Sequence, residues 1–298
     1  MRDDKQTPYL FSLPETPAVA PLFITSPHSG SDYPASFLAA AQLDAHQIRQ
    51  SEDMYVDQLF ADASGFGVPL LAARYPRAYI DLNRAPYELE QALFVDKLPD
   101  HIDTRSLRAS AGLGTVPRLV AENTPIYKNK LSFAEAEARI EQIYHPFHET
   151  LQAQVKALKN KHGFSFLLDA HSMPSQATRL SDRLDVDFIL GNRHGRACYF
   201  ELTDMVATFL RTRGWQVGLN KPYAGGFITE QYGAPALGHH ALQIEINRAA
   251  YMDEASHEKH DGFDRLKNDM RDLVAHLLAA LPDMAETLTP TPSRSAAE

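Results

Sequence analysis

The stretch FSFLLDAHSMP, residues 164–174, constrains the fold more than any other. Phe166, Leu167 and Leu168 form a continuous apolar run that reads as a buried strand. That strand runs straight into Asp169, Ala170 and His171. A plain chain reversal would be made with Gly, Asn or Pro, so a carboxylate and an imidazole two residues apart ask for a chemical reason. Other runs of strand type are APLFITS (20–26), VDFIL or ACYFE, and HALQIEIN (240–247), while GVPLLAARYPRAYIDL (67–82) is expected to hold two strands. Helical spacing is clearest at Ile140, Tyr144, Phe147, Leu151, Val155 and Leu158, with Gly163 as a stop. A second helix is expected to carry Phe263, Leu266, Met270, Leu273, Val274, Leu277 and Leu281. Strands alternating with helices imply an α/β fold, a mixed central sheet flanked by helices.

The 298 residues suffice for one large α/β domain or two small ones. With no internal repeat and no long linker, residues 1–288 read as one domain and TPTPSRSAAE (289–298) as a disordered tail. A net charge of −9 argues against a broad nucleic-acid footprint but leaves room for a local basic pocket that holds a small anion. Cys198 is the only cysteine, so an intramolecular disulfide and a Cys-rich zinc site are both excluded. Any metal must therefore rest on His, Asp and Glu. The N-terminal MRDDKQTPYLFSLPETP has no apolar stretch of signal type, and no run approaches the ~18 apolar residues of a membrane helix. A cytoplasmic protein with no membrane partner is expected; the oligomeric state is not legible.

In open α/β sheets, ligands bind outside the carboxyl ends of the strands. Three apolar strands here end in unusual side chains. FITSPHSG brings His28, LLDAHSMP brings His171, and ALQIEINR places Gln243, Glu245 and Asn247 on the face opposite Leu242, Ile244 and Ile246. Two histidines with carboxylates suit a divalent zinc, which in hydrolytic sites takes three protein ligands and leaves one position open. Asp53, in SEDMYVDQLF, is the first choice for the third ligand, with Glu52 and Asp32 as alternatives. Asp169 shares a strand face with His171 and would orient its ring. Each residue alone has a plainer reading: a hydrogen-bonded histidine, a helix-start charge at Asp53, a Glu245–Arg248 ion pair. The convergence of several such strand ends favours the metal.

YPRAYIDLNRAPYE (75–88) groups Arg77, Asp81, Asn83 and Arg84, with Asn83 and Arg84 expected to close a strand. A guanidinium fork matches a carboxylate, although such arginines equally pair with local acids such as Asp81. KPYAGGFITEQYG (221–233) reads as a loop, either lining a substrate site or simply turning, and SAGLGTVPRLV (110–120) is similar and lacks the ending of a phosphate loop. His145 and His148 flank Pro146 among core aromatics and read as structural. His239 and His240 carry no ligand assignment.

Taken together, SPHSGSDYP, YIDLNR, LLDAHSMP, PYAGGFITEQYG and HALQIEINRAAYMDE resemble the N-formylglutamate amidohydrolase family, and GLGTVPRLVAENTPIY and RIEQIYHPFH fit it too. These stretches span residues 26 to about 254. The resemblance implies a zinc-carboxypeptidase-like (phosphorylase/hydrolase-like) α/β fold and one catalytic domain. It also implies hydrolysis of N-formyl-L-glutamate, a small anionic N-acyl amino acid, to formate and L-glutamate, a late step of histidine degradation. It places one Zn2+ on His28, Asp53 and His171, makes Glu245 the general base, and gives Asn83 and Arg84 the role of carboxylate binders. Arg77 or Arg248 is left for the second carboxylate or the site wall. One departure is visible: carboxypeptidases carry a Glu three residues after the first metal His, where this chain has Ser31. The carboxylate ligand must then come from elsewhere, and Asp53 in the D-x-x-V-D stretch is its best source.

Overall fold

The computed structural model describes residues 7–14, 20–121, 123–180 and 186–289. All but the first residue of the expected disordered tail lie outside them. The strands are β1 (Tyr9–Ser12), β2 (Leu22–Ser26), β3 (Leu70–Ala73), β4 (Leu119–Ala121), β5 (Thr124–Pro125), β6 (Ser165–Met173), β7 (Phe188–Gly191), β8 (Val217–Leu219) and β9 (His239–Asn247). Seven of them form a mixed sheet in the order β1-β3-β2-β6-β9-β7-β8, and β4 pairs with β5 separately. β3, β2, β6 and β9 run parallel, while β1 and β7 oppose their neighbours β3 and β9.

Every residue of β2 and β6 is buried, as central parallel strands covered on both faces must be. On one face Phe23, Leu71, Leu167 and Ala241 meet Phe147, Leu151, Val155 and Leu158 of helix His145–His162. On the other, Ile24, Phe166, Leu168, Leu242, Ile244 and Ile246 share a core with helices Phe200–Thr212 and Gly262–Ala280. Both helices expected from spacing are present. The first begins at Phe133 behind a capping box made by Ser132 and Glu135. It passes through a π turn at Ile140–Tyr144 immediately before Pro146, and ends at Gly163, whose φ of 86° a glycine adopts without strain. Pro146 has no N–H to give to the preceding turn, and the wider π turn lets the helix continue past it.

Several boundaries differ from expectation. β6 extends to Met173, so Asp169 and His171 lie within the strand and not beyond it. Residues 67–82 hold one strand, β3. After it Pro76 starts a turn whose carbonyl receives the N–H groups of Tyr79 and Ile80, and the Asp81 N–H goes to Thr115 O. Ile80 and Leu82 alternate because they are buried, not because they pair in a ladder. Asn83 and Arg84 consequently sit in a turn. VDFIL supplies β7, whereas the end of ACYFE opens helix Phe200–Thr212. β1, an edge strand, was not anticipated. No described helix is long and apolar enough to cross a membrane.

Candidate active site

Because β2, β6 and β9 are parallel, their carboxyl ends open along one edge of the sheet. Just past β2 lies His28, followed by Gly30, whose backbone runs so close to Tyr75 that an added Cβ would stand 2.2 Å from its carbonyl oxygen. This close approach explains the glycine of HSG. In β6, Asp169 and His171 continue the face that carries Leu167, so the apolar layer gives way to polar side chains toward the carboxyl end. His171 is in register with Glu245 of β9, and Asp169 with Gln243. Leu242, Ile244 and Ile246 point into the core, and Gln243 and Glu245 line a cavity of about 630 Å³ on the other side.

His28, Asp53 and His171 meet there, all at 2% exposure or less. One oxygen of Asp53, Oδ2, is 3.0 Å from His171 Nδ1 and 3.4 Å from His28 Nδ1. The rings lie 4.7 Å apart, centroid to centroid. Carboxylates stand behind both rings. His28 Nε2–H donates to Asp81 Oδ1 at 2.7 Å. His171 Nε2 is 3.1 Å from Asp169 Oδ1, off the line a hydrogen bond needs, which leaves both Asp169 oxygens without a hydrogen-bond partner. The other Asp53 oxygen, Oδ1, receives the Ser172 hydroxyl and Arg248 Nη2, each at 3.2 Å. Burial by itself would raise Asp53, but the His171 hydrogen bond and the charge of the two nearby rings hold it well below the usual carboxylate range. For His171, burial is outweighed by Asp169 and Asp53, and its pKa lies well above the ordinary one.

These residues fit a cation. Three ligand atoms lie within 4.8 Å of one another, and His28 Nδ1 is buried with no hydrogen-bond partner on the side that faces Asp53. Two imidazole nitrogens and a carboxylate oxygen, each ring backed by a further carboxylate, match the donor chemistry of a divalent metal site. Beside them, burial pushes Glu245 up to about 8; His171 opposes that rise, Asp53 adds to it and Arg77 opposes it. Gln243 Nε2 donates to Glu245 Oε1 at 2.7 Å, and Oε2 has no partner among the described residues.

A model of the N-formylglutamate amidohydrolase family matches residues 20–252. The chain belongs to that family. It is 32% identical over 237 residues to an N-formylglutamate deformylase of Pseudomonas putida, covering 78% of this chain and 82% of that protein. A Pseudomonas aeruginosa protein of the same name is 30% identical over 238 residues, 78% and 83% of the two chains. The crystal structure of an N-formylglutamate amidohydrolase from Ralstonia eutropha JMP134 superposes with a TM-score of 0.86 at 36% identity, covering 95% of this chain and 99% of that one.

Within this member of the amidohydrolase family, the remaining residues singled out from sequence are distributed unevenly. Asn83, Arg84, Arg77 and Arg248 all line the cavity. Asn83 Oδ1 accepts the Ile228 N–H at 2.7 Å, and its Nδ2 is 3.1 Å from His171 Nε2. A Cβ on Gly226 would stand 2.4 Å from that Nδ2, so this glycine of the 221–233 loop makes room for Asn83. Arg248 is committed within the protein, to Ser172 Oγ, Gln50 O and Asp53 Oδ1. The alternatives to Asp53 lie apart from the cluster: Asp32 pairs with Arg74 at 3.2 Å, and Glu52 is held by Arg49 and the Tyr33 hydroxyl. His148 bridges Tyr232 Oη and Leu82 O, a structural place as expected. His240 is buried near Leu288 O, and His239 is hydrogen-bonded to Ser165. Sequence reasoning missed Asp81 behind His28, where the D-x-N-R spacing was visible but was read as an arginine partner. It also passed over Ser172 and Arg108 in the cavity wall, and placed Gln243 on the polar face without a role.

Proposed function

We propose that the chain is a metal-dependent amidohydrolase that cleaves N-formyl-L-glutamate to formate and L-glutamate, within a single catalytic domain. The observation that carries the reading is the meeting of His28, Asp53 and His171 around one carboxylate oxygen, with Glu245 in register beside His171. His28 and His171 would hold the metal through Nδ1 and Asp53 through Oδ2, while Asp81 fixes the far nitrogen of His28 and Asp169 sets its charge 3.1 Å from that of His171. Zinc suits this donor set and, when bound, supplies the charge that polarises the formyl carbonyl and acidifies water.

The chain's own groups do the rest. Glu245 Oε2 takes a proton from the attacking water as its oxygen bonds to the formyl carbon, and passes it to the amide nitrogen as the C–N bond breaks. A carboxyl raised to about 8 is a poor base at neutral pH, but a cation on the three donors next to it draws it back toward the ionised form. Gln243 holds Oε1, so the carboxylate presents its other oxygen to the cavity. Arg84, at 7% exposure, offers charge to a substrate carboxylate, and Arg77 extends the cationic wall. The products, a one-carbon acid and an amino acid, suit a late step of histidine degradation in the cytoplasm.

Glu245→Gln tests the assignment. Formate release from N-formyl-L-glutamate should fall by at least ~100-fold while metal content per chain stays that of the parent. Full activity in this variant removes Glu245 from the reaction. Retention of formate release by the parent after exhaustive chelation refutes the metal dependence.

A further inference from the structure

A substrate with two carboxylates needs two cationic seats, and the hydrogen bonding of the cavity arginines shows which remain open. Four line the cavity: Arg77, Arg84, Arg108 and Arg248. Arg248 spends Nε, Nη1 and Nη2 on Ser172, Gln50 and Asp53, so its charge is matched and its donors occupied. Arg77 Nε donates to Asp81 Oδ2 at 3.0 Å. Arg84 Nε donates to Leu113 O and Nη1 to Asn83 O, with Nη2 3.5 Å from the same Asp81 oxygen. Arg108 differs from all three: no acid and no hydrogen-bond acceptor is recorded against its guanidinium among the described residues, and it is exposed at the cavity wall.

Its position is set by the chain. Ser106 caps the short helix Leu107–Ser110 by accepting the Ala109 N–H at 3.0 Å, and Ala109 is fully buried beneath it. The segment that follows returns to Arg84 through the Leu113 carbonyl. Arg84 also feels the charge of Arg108: burial lowers its pKa, and Arg77 and Arg108 both push the same way against Asp81. Arg84 and Arg108 therefore form a pair of neighbouring cations, the first buried and anchored beside Asp81, the second without a partner among the described residues. Asp81 and Glu88 offset the charge of Arg84, while the added cation of Arg108 has no acid against it among the described residues and suits an anion.

We infer that Arg108 binds the side-chain carboxylate of the substrate and sets the preference for an acidic amino acid, with Arg84 taking the α-carboxylate. The order follows from substrate connectivity. The α-carboxylate is one carbon removed from the amide nitrogen, close to Glu245 and the His–Asp–His cluster. The side-chain carboxylate lies two methylenes farther out, toward the exposed arginine. This assignment rests on the amidohydrolase reading above and extends it to substrate choice.

The test replaces Arg108 by Gln and compares N-formyl-L-glutamate with N-formyl-L-glutamine, which is nearly isosteric and lacks the second charge. The ratio of kcat/KM for the two substrates should fall ~10–100-fold in Arg108→Gln, mainly through a higher KM for the glutamate substrate, because an exposed charge that binds ground and transition state alike acts on KM. Arg108→Lys should recover part of that ratio. A ratio unchanged from the parent, or equal losses on both substrates, overturns the inference. Calorimetric titration of the metal-loaded proteins with L-glutamate and L-glutamine separates this failure from failure of the proposed function. If the parent releases no formate, a preference for L-glutamate that vanishes in Arg108→Gln still supports the arginine's role. A parent that binds the two amino acids equally refutes it.

Discussion

Acidification should destabilise this protein through His148, a residue outside the cluster. The ring is buried between the Leu82 carbonyl and the Tyr232 hydroxyl. Nε2–H donates to Leu82 O at 2.9 Å, and Nδ1 lies 2.9 Å from Tyr232 Oη, which also hydrogen-bonds His148 O at 3.2 Å. Burial lowers its pKa to about 4; the Leu82 hydrogen bond resists that shift and His145 adds to it. In the unfolded chain the same ring titrates near its ordinary value of about 6.5. The unfolded state then binds more protons between these values, so stability is full above pH ~6.5 and declines as pH falls toward ~4. At pH 5.0 the unfolded ring is almost fully protonated and the folded one mostly neutral, a difference worth about 2 kcal/mol. Urea unfolding followed by circular dichroism at pH 7.5 and 5.0 measures this when the parent is compared with His148→Gln. Both proteins should be stripped of metal, so that proton-linked metal binding does not enter. The parent should lose about 2 kcal/mol more than the variant between the two pH values. Equal losses in the two proteins would refute the reasoning. The effect bears on the site because His148 holds Leu82, and Tyr144 Oη donates to Arg84 O at 2.6 Å, so one helix fixes both sides of Asn83.

Asp53→Asn should weaken zinc binding by at least ~10-fold in competition with a chromophoric chelator, because the shared oxygen between the two rings loses its charge, whereas Glu52→Gln should leave zinc affinity within ~3-fold. Equal effects would reopen the choice of carboxylate. Gly226→Ala should reduce turnover and cost about 1–3 kcal/mol in stability, since the new methyl meets the Asn83 amide at 2.4 Å and that amide is tied to Ile228 N. A variant with parental melting temperature and kcat would show that the loop yields freely. Phe147→Ala, which empties a fully buried position under the sheet, should cost about 3–5 kcal/mol by urea titration.

The elements most legible in the sequence were those whose signal is local. The spacing from Ile140 to Leu158 and from Phe263 to Leu281 identified two helices, because a helix repeats its buried face every three or four residues. Strand β9 announced which side of it would be polar for a similar reason: alternation sends Leu242, Ile244 and Ile246 to one face and Glu245 to the other. The same logic failed at residues 76–82, where burial of Ile80 and Leu82 imitates strand alternation but Pro76 turns the chain. It was silent on β1, a short edge strand whose alternation is half-exposed.

The sequence alone determined the candidate chemistry: two histidines and a glutamate at strand ends, a cysteine-free metal site, and arginines to meet an anion. Only the tertiary structure decided how these groups divide the work. Asp53 and His171 are 118 positions apart, and their 3.0 Å contact exists because the Asp53 N–H bonds His28 O just past β2, and β2 is the parallel neighbour of β6. Asp81 stands behind His28 for the same reason of chain return, across 53 positions. Identical guanidinium groups separate by their surroundings alone: Arg248 is neutralised on Asp53, Arg84 is anchored to carbonyls, and Arg108 is left facing the cavity. Periodicity reports which face of an element is buried, but a side chain's partner is set by the packing of distant segments, and that partner decides whether a charge is structural or free to act.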